Sequence, residues 1–236
     1  MYYKGVYHLF FQHNPYTPVP GNIAWGHSIS YDLVNWVHLE PAISPSEPYD
    51  IYGCYSGSTT ILPSGKPAIL YTGVDLNNGQ VQNLAMPKNA SDPLLREWVK
   101  SPLNPLISPV DDIDRSDFRD PTTAWQGPDK VWRVIIGGRI NALGMAFLYQ
   151  SKDFVNWTRS NKPLHSSNKT GMGSVQIFTL SESIAKTELT TLLKTNLPSM
   201  FLRQVSKSKT TIYWEITFLK QIIFPLNMIL WKLDLT

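Results

Sequence analysis

The sequence predicts an all-β chain of repeated small sheets, a β-propeller, and two observations carry that prediction. Pro and Gly punctuate residues 1–172 densely, which favours many short strands over long helices. The segment Ser30-Tyr31-Asp32-Leu33-Val34-Asn35-Trp36 also recurs as Ser151-Lys152-Asp153-Phe154-Val155-Asn156-Trp157, each time after a strand-like run. A weaker echo is Ser91-Asp92-Pro93-Leu94-Leu95-Arg96-Glu97-Trp98. A strand, an Asp turn and a Trp at intervals along one chain fit radially repeated sheet units, with each Trp packing in an equivalent place.

In order, the first strand is expected from Gly5 to Gln12, ending at the turn signal Asn14-Pro15. Asn22 to Ser30 is the second. Further strands are expected over Ser58 to Leu62, Pro67 to Tyr71, Val131 to Ile136 and Met145 to Gln150. The turns Pro63-Ser64-Gly65, Asn77-Asn78-Gly79 and Gly127-Pro128-Asp129 separate them.

Composition excludes several classes. The chain of 236 residues is 42% hydrophobic and 17% charged, so it is long and apolar enough for a buried core. Its net charge of +3 is not gathered into a Lys/Arg cluster, and no nucleic-acid partner is expected. Cys54 is the only cysteine, which rules out an intrachain disulfide and a cysteine-based metal site. His8, His13, His27, His38 and His165 lack zinc-site spacing, and the run Asp111, Asp112, Asp114, Asp117 lacks the Gly and Glu of a calcium loop. That acidic run reads as a solvated loop. No phosphate-loop or dinucleotide pattern is present, so neither a metal nor a cofactor is expected.

The stretch Asp117-Phe118-Arg119-Asp120-Pro121-Thr122-Thr123-Ala124-Trp125 carries the chemistry. A guanidinium next door favours an ionised carboxylate, and a proline pushes the residue before it toward an extended backbone. Asp120 is therefore expected to be ionised and extended, with Trp125 close by. That combination suits a sugar, whose hydroxyls donate to a carboxylate and whose ring face packs on an aromatic. Gln12, Trp25, Tyr55, Ser56, Arg119 and Asp120 all fall where strands meet loops, positions that a propeller can bring to one central pocket.

Five stretches taken together resemble the family 32 glycoside hydrolases, the β-fructofuranosidases, and especially plant acid invertases and fructan exohydrolases. They are His8-Leu9-Phe10-Phe11-Gln12-His13-Asn14-Pro15, Trp25-Gly26-His27-Ser28-Ile29-Ser30, Cys54-Tyr55-Ser56-Gly57-Ser58, Phe118-Arg119-Asp120-Pro121 and Leu164-His165-Ser166. The resemblance runs from Tyr3 to Met172 and implies a five-bladed β-propeller, which in the family precedes a β-sandwich. It implies a retaining glycosidase acting on sucrose or fructans through two carboxyl groups, one attacking and one protonating. A third carboxylate holds two fructosyl hydroxyls and stabilises the transition state, and Asp120 matches it, with Arg119 beside it. Gln12, Trp25 and Ser56 match positions lining the fructosyl pocket, and Tyr55 stands where the family usually has Trp. A cell-wall or vacuolar destination is implied as well. The ordered motifs disfavour an arabinan-cleaving propeller hydrolase.

Two departures follow. The family's attacking Asp lies in an Asn-Asp-Pro-Asn segment that would precede Tyr3. Its proton donor lies in a Trp-Glu-Cys-Pro-Asp segment that would follow Met172, where this chain reads Gly173-Ser174-Val175-Gln176-Ile177-Phe178-Thr179-Leu180. The codons TGG GAG TGT CCA GAT TTT TAC CCT GTC, with the first T removed, encode those eight residues. A one-base frameshift is therefore expected. It gives a partial propeller domain over 1–172 and an out-of-frame tail over 173–236, without the family's sandwich. The tail holds one Gly in 64 residues against thirteen before it. Its apolar run from Ile216 to Leu233 is interrupted by Lys220, Pro225 and Asn227, so no membrane span is expected. On this reading the chain is a fructosidase by descent and inactive as written. The alternative is a non-catalytic carbohydrate-binding or regulatory propeller that keeps the Asp120 pocket. Asn-x-Ser/Thr patterns at Asn89, Asn156 and Asn168 permit glycosylation in a secreted protein.

Overall fold

A computed structural model describes residues 1–17, 21–110 and 112–167. The tail over 173–236, its division from the domain before it and Asn168 lie outside the described residues.

The described chain forms three antiparallel sheets in sequence order. The first comprises β1 (Tyr2–Tyr3), β2 (Val6–His13), β3 (Ala24–Ser30) and β4 (Val37–Ile43). The second comprises β5 (Cys54–Ile61), β6 (Pro67–Val74), β7 (Gln80–Pro87) and β8 (Trp98–Lys100). The third is built on β11 (Trp132–Ile140) and β12 (Leu143–Ser151). β9 (Ile113–Arg119) and β10 (Trp125–Gln126) pair β11, while β13 (Thr158–Arg159) and β14 (His165–Ser167) pair β12.

The middle sheet is covered on both faces, and β6 shows how. Successive strand side chains point to opposite faces. Ile69 and Tyr71 join Trp25, Ile43 and Cys54 in the cluster shared with the first sheet. Ala68 and Leu70 join Phe118, Val134, Ile136 and Phe147 in the cluster shared with the third. A strand buried on both faces reads as a continuous apolar run rather than an alternating one.

The repeated segment occupies the same place in the first and third sheets, between β3 and β4 and between β12 and β13. Its hydrogen bonds explain its composition. Asp32 Oδ1 accepts the Val34 and Asn35 N–H groups (2.9 and 2.7 Å), and Asn35 Nδ2 donates to Asp32 Oδ2 at 2.7 Å. Asp153 does the same with Val155 and Asn156 at 2.9, 2.7 and 2.7 Å. Ser30 and Ser151 accept the N–H of Leu33 and Phe154, residues held at φ 65° and 68°. Each Trp then donates its indole N–H to the carbonyl three residues back. The weaker echo lies between β7 and β8, where Asp92 again caps a turn, with Leu95 at φ 47°. There Trp98 instead begins β8 and packs 5.7 Å from the Phe10 ring.

Several expectations need correcting. The strands are longer than the periodicity predicts; β5 starts at Cys54 rather than Ser58 and β6 runs on to Val74. β7 was not expected, because Gln80, Gln82 and Asn83 make it read as polar, yet all three are buried. The acidic run is not a solvated loop. Asp114 and Asp117 belong to β9, where Arg139 pairs with both, and Arg159 pairs with Asp112.

Within the first sheet His8 and His27 are 3% and 1% exposed, and His8 Nδ1 lies 2.9 Å from His27 Nε2. Burial, and for His27 the charge His8 would carry, lowers both to about 4. The unfolded side chains titrate near 6.5, so the pair is without effect above that pH. Stability is lost as pH falls from about 6.5 toward 4, because only the unfolded chain then takes up the protons. The expected loss at pH 5 is about 2 kcal/mol per histidine. Urea midpoints measured from pH 7 to pH 5 check it, and a His8→Phe/His27→Leu variant should flatten the profile.

Candidate active site

Asp120 follows β9 directly, and its backbone is held by the second sheet. Thr72 Oγ1, at the end of β6, accepts the Asp120 N–H at 3.0 Å and donates to Gln82 Oε1 at 2.8 Å. Gln82 Nε2 donates in turn to the Phe118 carbonyl at 2.8 Å, and Gln80 Oε1 accepts the Phe118 N–H at 2.9 Å. Downstream, Thr122 exchanges bonds with Ile135, and the Ala124 N–H reaches Thr60 Oγ1 at 2.9 Å.

These bonds hold Asp120 at φ 62° rather than in the extended conformation that Pro121 alone would favour. A non-glycine residue there carries about 1–3 kcal/mol of strain, and such strain gathers at functional sites. The electrostatics differ from expectation too. The Arg119 side chain is drawn to Asp117, its Nη1 2.9 Å from Oδ1, while its Nε stays 3.7 Å from Asp120 Oδ2. Burial outweighs the nearby guanidinium and pushes the Asp120 carboxyl up to about 6. Its oxygens accept no hydrogen bond among the described residues, which leaves their lone pairs for an incoming donor.

Trp125 is not beside this carboxylate. It lies in β10 opposite Arg133, four residues along β11 from Gly137, the partner of Arg119, which is roughly 13 Å at the rise of a strand.

Tyr55 and Ser56 meet Asp120 through Thr72. On β5 and β6 the pairing moves from Cys54–Gly73 to Gly57–Tyr71, so two residues of β5 stand opposite Thr72 alone. Such a bulge re-aims side chains and recurs next to active sites. It also brings the two backbones together: a Cβ on Gly57 would clash with the Leu70 carbonyl and stand 2.6 Å from the Tyr71 Cα.

Gln12 and Trp25 are cross-strand partners on β2 and β3, and both reach over to the start of β5. Trp25 Nε1 donates to the Tyr55 carbonyl at 2.9 Å, and Gln12 Nε2 to the Cys54 carbonyl at 3.4 Å. Trp25 is 5% exposed, packed against Phe10 and Tyr71, so it acts on the site chiefly by fixing the backbone of Tyr55. Gln12 is exposed and keeps its carbonyl oxygen for another partner.

Thr72, Gln80 and Gln82 were missed by sequence reasoning, and Thr72 lies 48 positions from the residue it holds. Thr72→Val keeps the shape but removes both bonds, leaving the Asp120 N–H and Gln82 Oε1 without them. The expected cost is about 1–3 kcal/mol, read from the denaturant midpoint. Thr72→Ser should restore both.

Among the described residues no cluster of three or more His, Cys, Asp or Glu could hold a metal, and no helix is long and apolar enough to cross a membrane.

Comparison with known proteins places these features in context. The model of the Glycosyl hydrolases family 32 N-terminal domain matches residues 1–232. A cell wall isozyme of β-fructofuranosidase from Pisum sativum is 63% identical over 174 residues, covering 73% of this chain and 31% of that relative. Fructan 1-exohydrolase w2 from Triticum aestivum is 53% identical over 173 residues, covering 73% and 29%. The crystal structure of fructan 1-exohydrolase IIa from Cichorium intybus superposes with a TM-score of 0.70 at 59% identity, over 72% of this chain and 32% of that one. A β-fructofuranosidase of Bombyx mori, solved as a mutant with sucrose, gives a TM-score of 0.59 at 34% identity, over 71% and 34%. The chain thus spans about a third of the length of the proteins it matches.

Proposed function

The chain belongs to glycosyl hydrolase family 32, and from that membership we propose that its three sheets are blades of a five-bladed propeller whose centre binds a fructosyl group. The first sheet supports further blades. Leu9 and Val37 are 47% and 58% exposed there, while Phe10 and Trp25 pack on the second sheet. A closed ring of blades would cover apolar side chains of this kind, which an isolated sheet leaves to water.

The reaction is cleavage of a β-fructofuranosyl bond in sucrose or a fructan, with retention. One relative is solved with 1-kestose and another with sucrose. The observation that carries the reading is the carboxylate of Asp120, locked by its backbone and unspent in its oxygens. It accepts two fructosyl hydroxyls and stabilises the positive charge that builds on the ring as the glycosidic bond opens. Gln12 and Ser56 flank that position, Tyr55 faces the leaving group, and Arg119 keeps a positive charge near Asp120.

Bond cleavage needs an attacking carboxylate and a proton donor as well, about 5 Å apart. Asp117 is committed to Arg119 and Arg139, so the described residues offer Asp120 alone. Residues 173–236 are read as an out-of-frame tail. The relatives' alignments, 173 and 174 residues long, are about the length of the segment ending at Met172, although the family match runs on to 232. The 236-residue chain by itself is therefore a fructosyl-binding protein without turnover, and hydrolysis belongs to a form that supplies the other two carboxyl groups. Its destination is the cell wall or the vacuole, in keeping with the cell wall isozyme among its relatives.

Calorimetric titration of the purified chain with fructose, sucrose and 1-kestose tests this. Saturable binding that Asp120→Asn removes, with no fructose released from sucrose, is the expected result. Binding that survives the substitution would place the sugar elsewhere.

A further inference from the structure

Two carboxylates compete for the guanidinium of Arg119. Its Nη1 lies 2.9 Å from Asp117 Oδ1, while its Nε is 3.7 Å from Asp120 Oδ2. Side chains two apart on a strand share a face, so Asp117 and Arg119 lie side by side along β9. Asp120 has left the strand and turned away at φ 62°.

The third sheet decides the contest. Gly137 and Gly138 of β11 pair Arg119 and Phe118, and the register then shifts before Ile140 meets Ile113. Arg139 stands in that irregularity. Its Nε lies 3.0 Å from Asp117 Oδ2, and its Nη2 pairs with Asp114. Asp117 therefore has one guanidinium on each oxygen and is itself fixed from behind. Arg119 Nη1 also donates to the Ser116 carbonyl at 3.4 Å and to Gln80 Oε1 at 3.5 Å, contacts that hold it on the same side. The side chains of Asp117, Arg119, Asp120 and Arg139 are only 14% to 20% exposed, so salt and water screen these pairs weakly.

The balance is fine. A charge-assisted N–H to carboxylate bond is about 2.7–2.9 Å long, so Arg119 is less than about 1 Å short of one to Asp120. Such a bond would be stronger than one from a sugar hydroxyl and would use the lone pairs that the sugar needs.

We propose that Asp117 is a positioning residue for Asp120: backed by Arg139, it holds the Arg119 guanidinium off the Asp120 carboxylate and so keeps those oxygens open to fructosyl hydroxyls. The inference rests on the fructosyl reading of Asp120 given above and names what controls that site. It has a consequence for protonation. With Arg119 held by Asp117, burial pushes the Asp120 carboxyl up to about 6. A guanidinium released onto Asp120 favours its charged form and brings it down. No other charge competes from the packed elements. β5, β6 and β7 carry no charged side chain, and their titratable groups are Cys54, Tyr55 and Tyr71. Of the remaining charges, Arg115 pairs with Asp75 and Arg133 with Asp129.

The test titrates the full 236-residue chain, labelled with ¹³C at its Asp carboxyl carbons, by NMR from about pH 4 to pH 8. The Asp120 resonance is the one that Asp120→Asn removes. Asp117→Asn keeps the shape and deletes the charge. It is expected to lower the Asp120 pKa by about 1–3 units. Fructose binding at pH 7, read by calorimetry, should weaken about 10–100-fold, because the released guanidinium takes the place of the sugar's donors. Asp117→Ser should give the same two shifts with a smaller side chain, should Asn disturb β9. Arg139→Met breaks the same sheet contact but leaves the Asp117 charge on Arg119, so the Asp120 pKa should not fall. In Asp117→Asn/Arg119→Met the cation is gone, and the pKa should return to the wild-type value or above.

An Asp120 pKa unmoved by both Asp117 variants would overturn the proposal. So would a fall of equal size in Arg139→Met or in the double variant, which would mark general loosening or direct charge repulsion. A lowered pKa with undiminished binding would overturn the claim that the open oxygens serve the sugar. Wild-type protein that binds no fructose would instead sink the fructosyl reading, and the titration, made without sugar, would still decide whether Asp117 holds Arg119 away.

Discussion

Replacing Asp120 by Asn is expected to raise the melting temperature at neutral pH and, on the function proposed above and in a form that supplies the other two carboxyl groups, to lower kcat/KM for sucrose or a fructan by about 10³-fold. Both effects come from one geometry. The carboxylate is largely buried, its nearest cation is Arg119 at 3.7 Å, and its pKa is pushed up to about 6. An unfolded Asp titrates near 3.9. Below that pH both states are protonated and the site costs nothing. Between 3.9 and 6 the unfolded chain gives up its proton while the folded one keeps it, so folding stability falls as pH rises. Above 6 the full penalty is present, about 3 kcal/mol at most. Asn has nearly the same shape and no charge, so it relieves that penalty at pH 7 and should gain little at pH 4.

The same substitution removes the charge that the reaction uses. An oriented buried carboxylate stabilises a developing cation far better than water does, and losing a single preorganised group of this kind costs about 3–4 kcal/mol of transition-state energy. Binding of a neutral sugar should carry the matching pH dependence. It should be full above pH 7 and weaken as pH falls through about 6. Thermal melts at pH 4 and pH 7, beside kcat/KM of the two forms, give the comparison. A variant that loses activity and also melts lower at pH 7 would mean that Asp120 serves the fold, and the functional reading would fail.

What could be read from the chain alone depended on whether the controlling interactions were local. The repeated turns were legible because Ser30, Asp32 and Asn35 bond to groups within three residues of themselves, so the chemistry is written in consecutive letters. Asp120 was legible as a residue type through its Arg-Asp-Pro setting, but its conformation was not. The preference imposed by Pro121 is local, whereas the bond from Thr72 that overrides it comes from another sheet. β7 was missed for a related reason. Gln82 looks like a surface residue until the sheets on either side are in place, and its burial is then compensated by Thr72 and Phe118. The surroundings of Trp25 were not legible, since its indole N–H bonds the Tyr55 carbonyl thirty residues away and its ring packs in the core.

Asp50→Ala should be the most destabilising single substitution among the described residues, by about 3–5 kcal/mol, and Lys100→Met should cost distinctly less. Asp50 lies in the connection from the first sheet to the second and is fully buried. Its Oδ1 accepts the Ser46 and Glu47 N–H groups, each at 3.0 Å. Its Oδ2 accepts the Tyr71 hydroxyl at 2.7 Å and pairs with Lys100 Nζ at 2.6 Å. Removing the carboxylate strands two backbone donors, a core tyrosine and an ammonium at once. Removing the ammonium leaves the carboxylate with three hydrogen bonds, and a carboxylate so bonded tolerates burial. Lys100 in turn keeps the Ser44 carbonyl at 2.7 Å and Ser46 Oγ at 2.8 Å when Asp50 is lost, so the ammonium is partly compensated and the tyrosine and backbone donors bear most of the cost. The double variant should therefore be little worse than Asp50→Ala, because the second change removes a charge that the first had left without its partner. The damage should also reach the site. Tyr52 and Val74 exchange backbone bonds with their neighbours across this connection, and Cys54 then starts the bulged strand that carries Tyr55 and Ser56. Denaturant midpoints of the three variants, with fructose binding on each, decide the matter. If Lys100→Met proves as damaging as Asp50→Ala, the ion pair rather than the cradle of donors holds the first two sheets together.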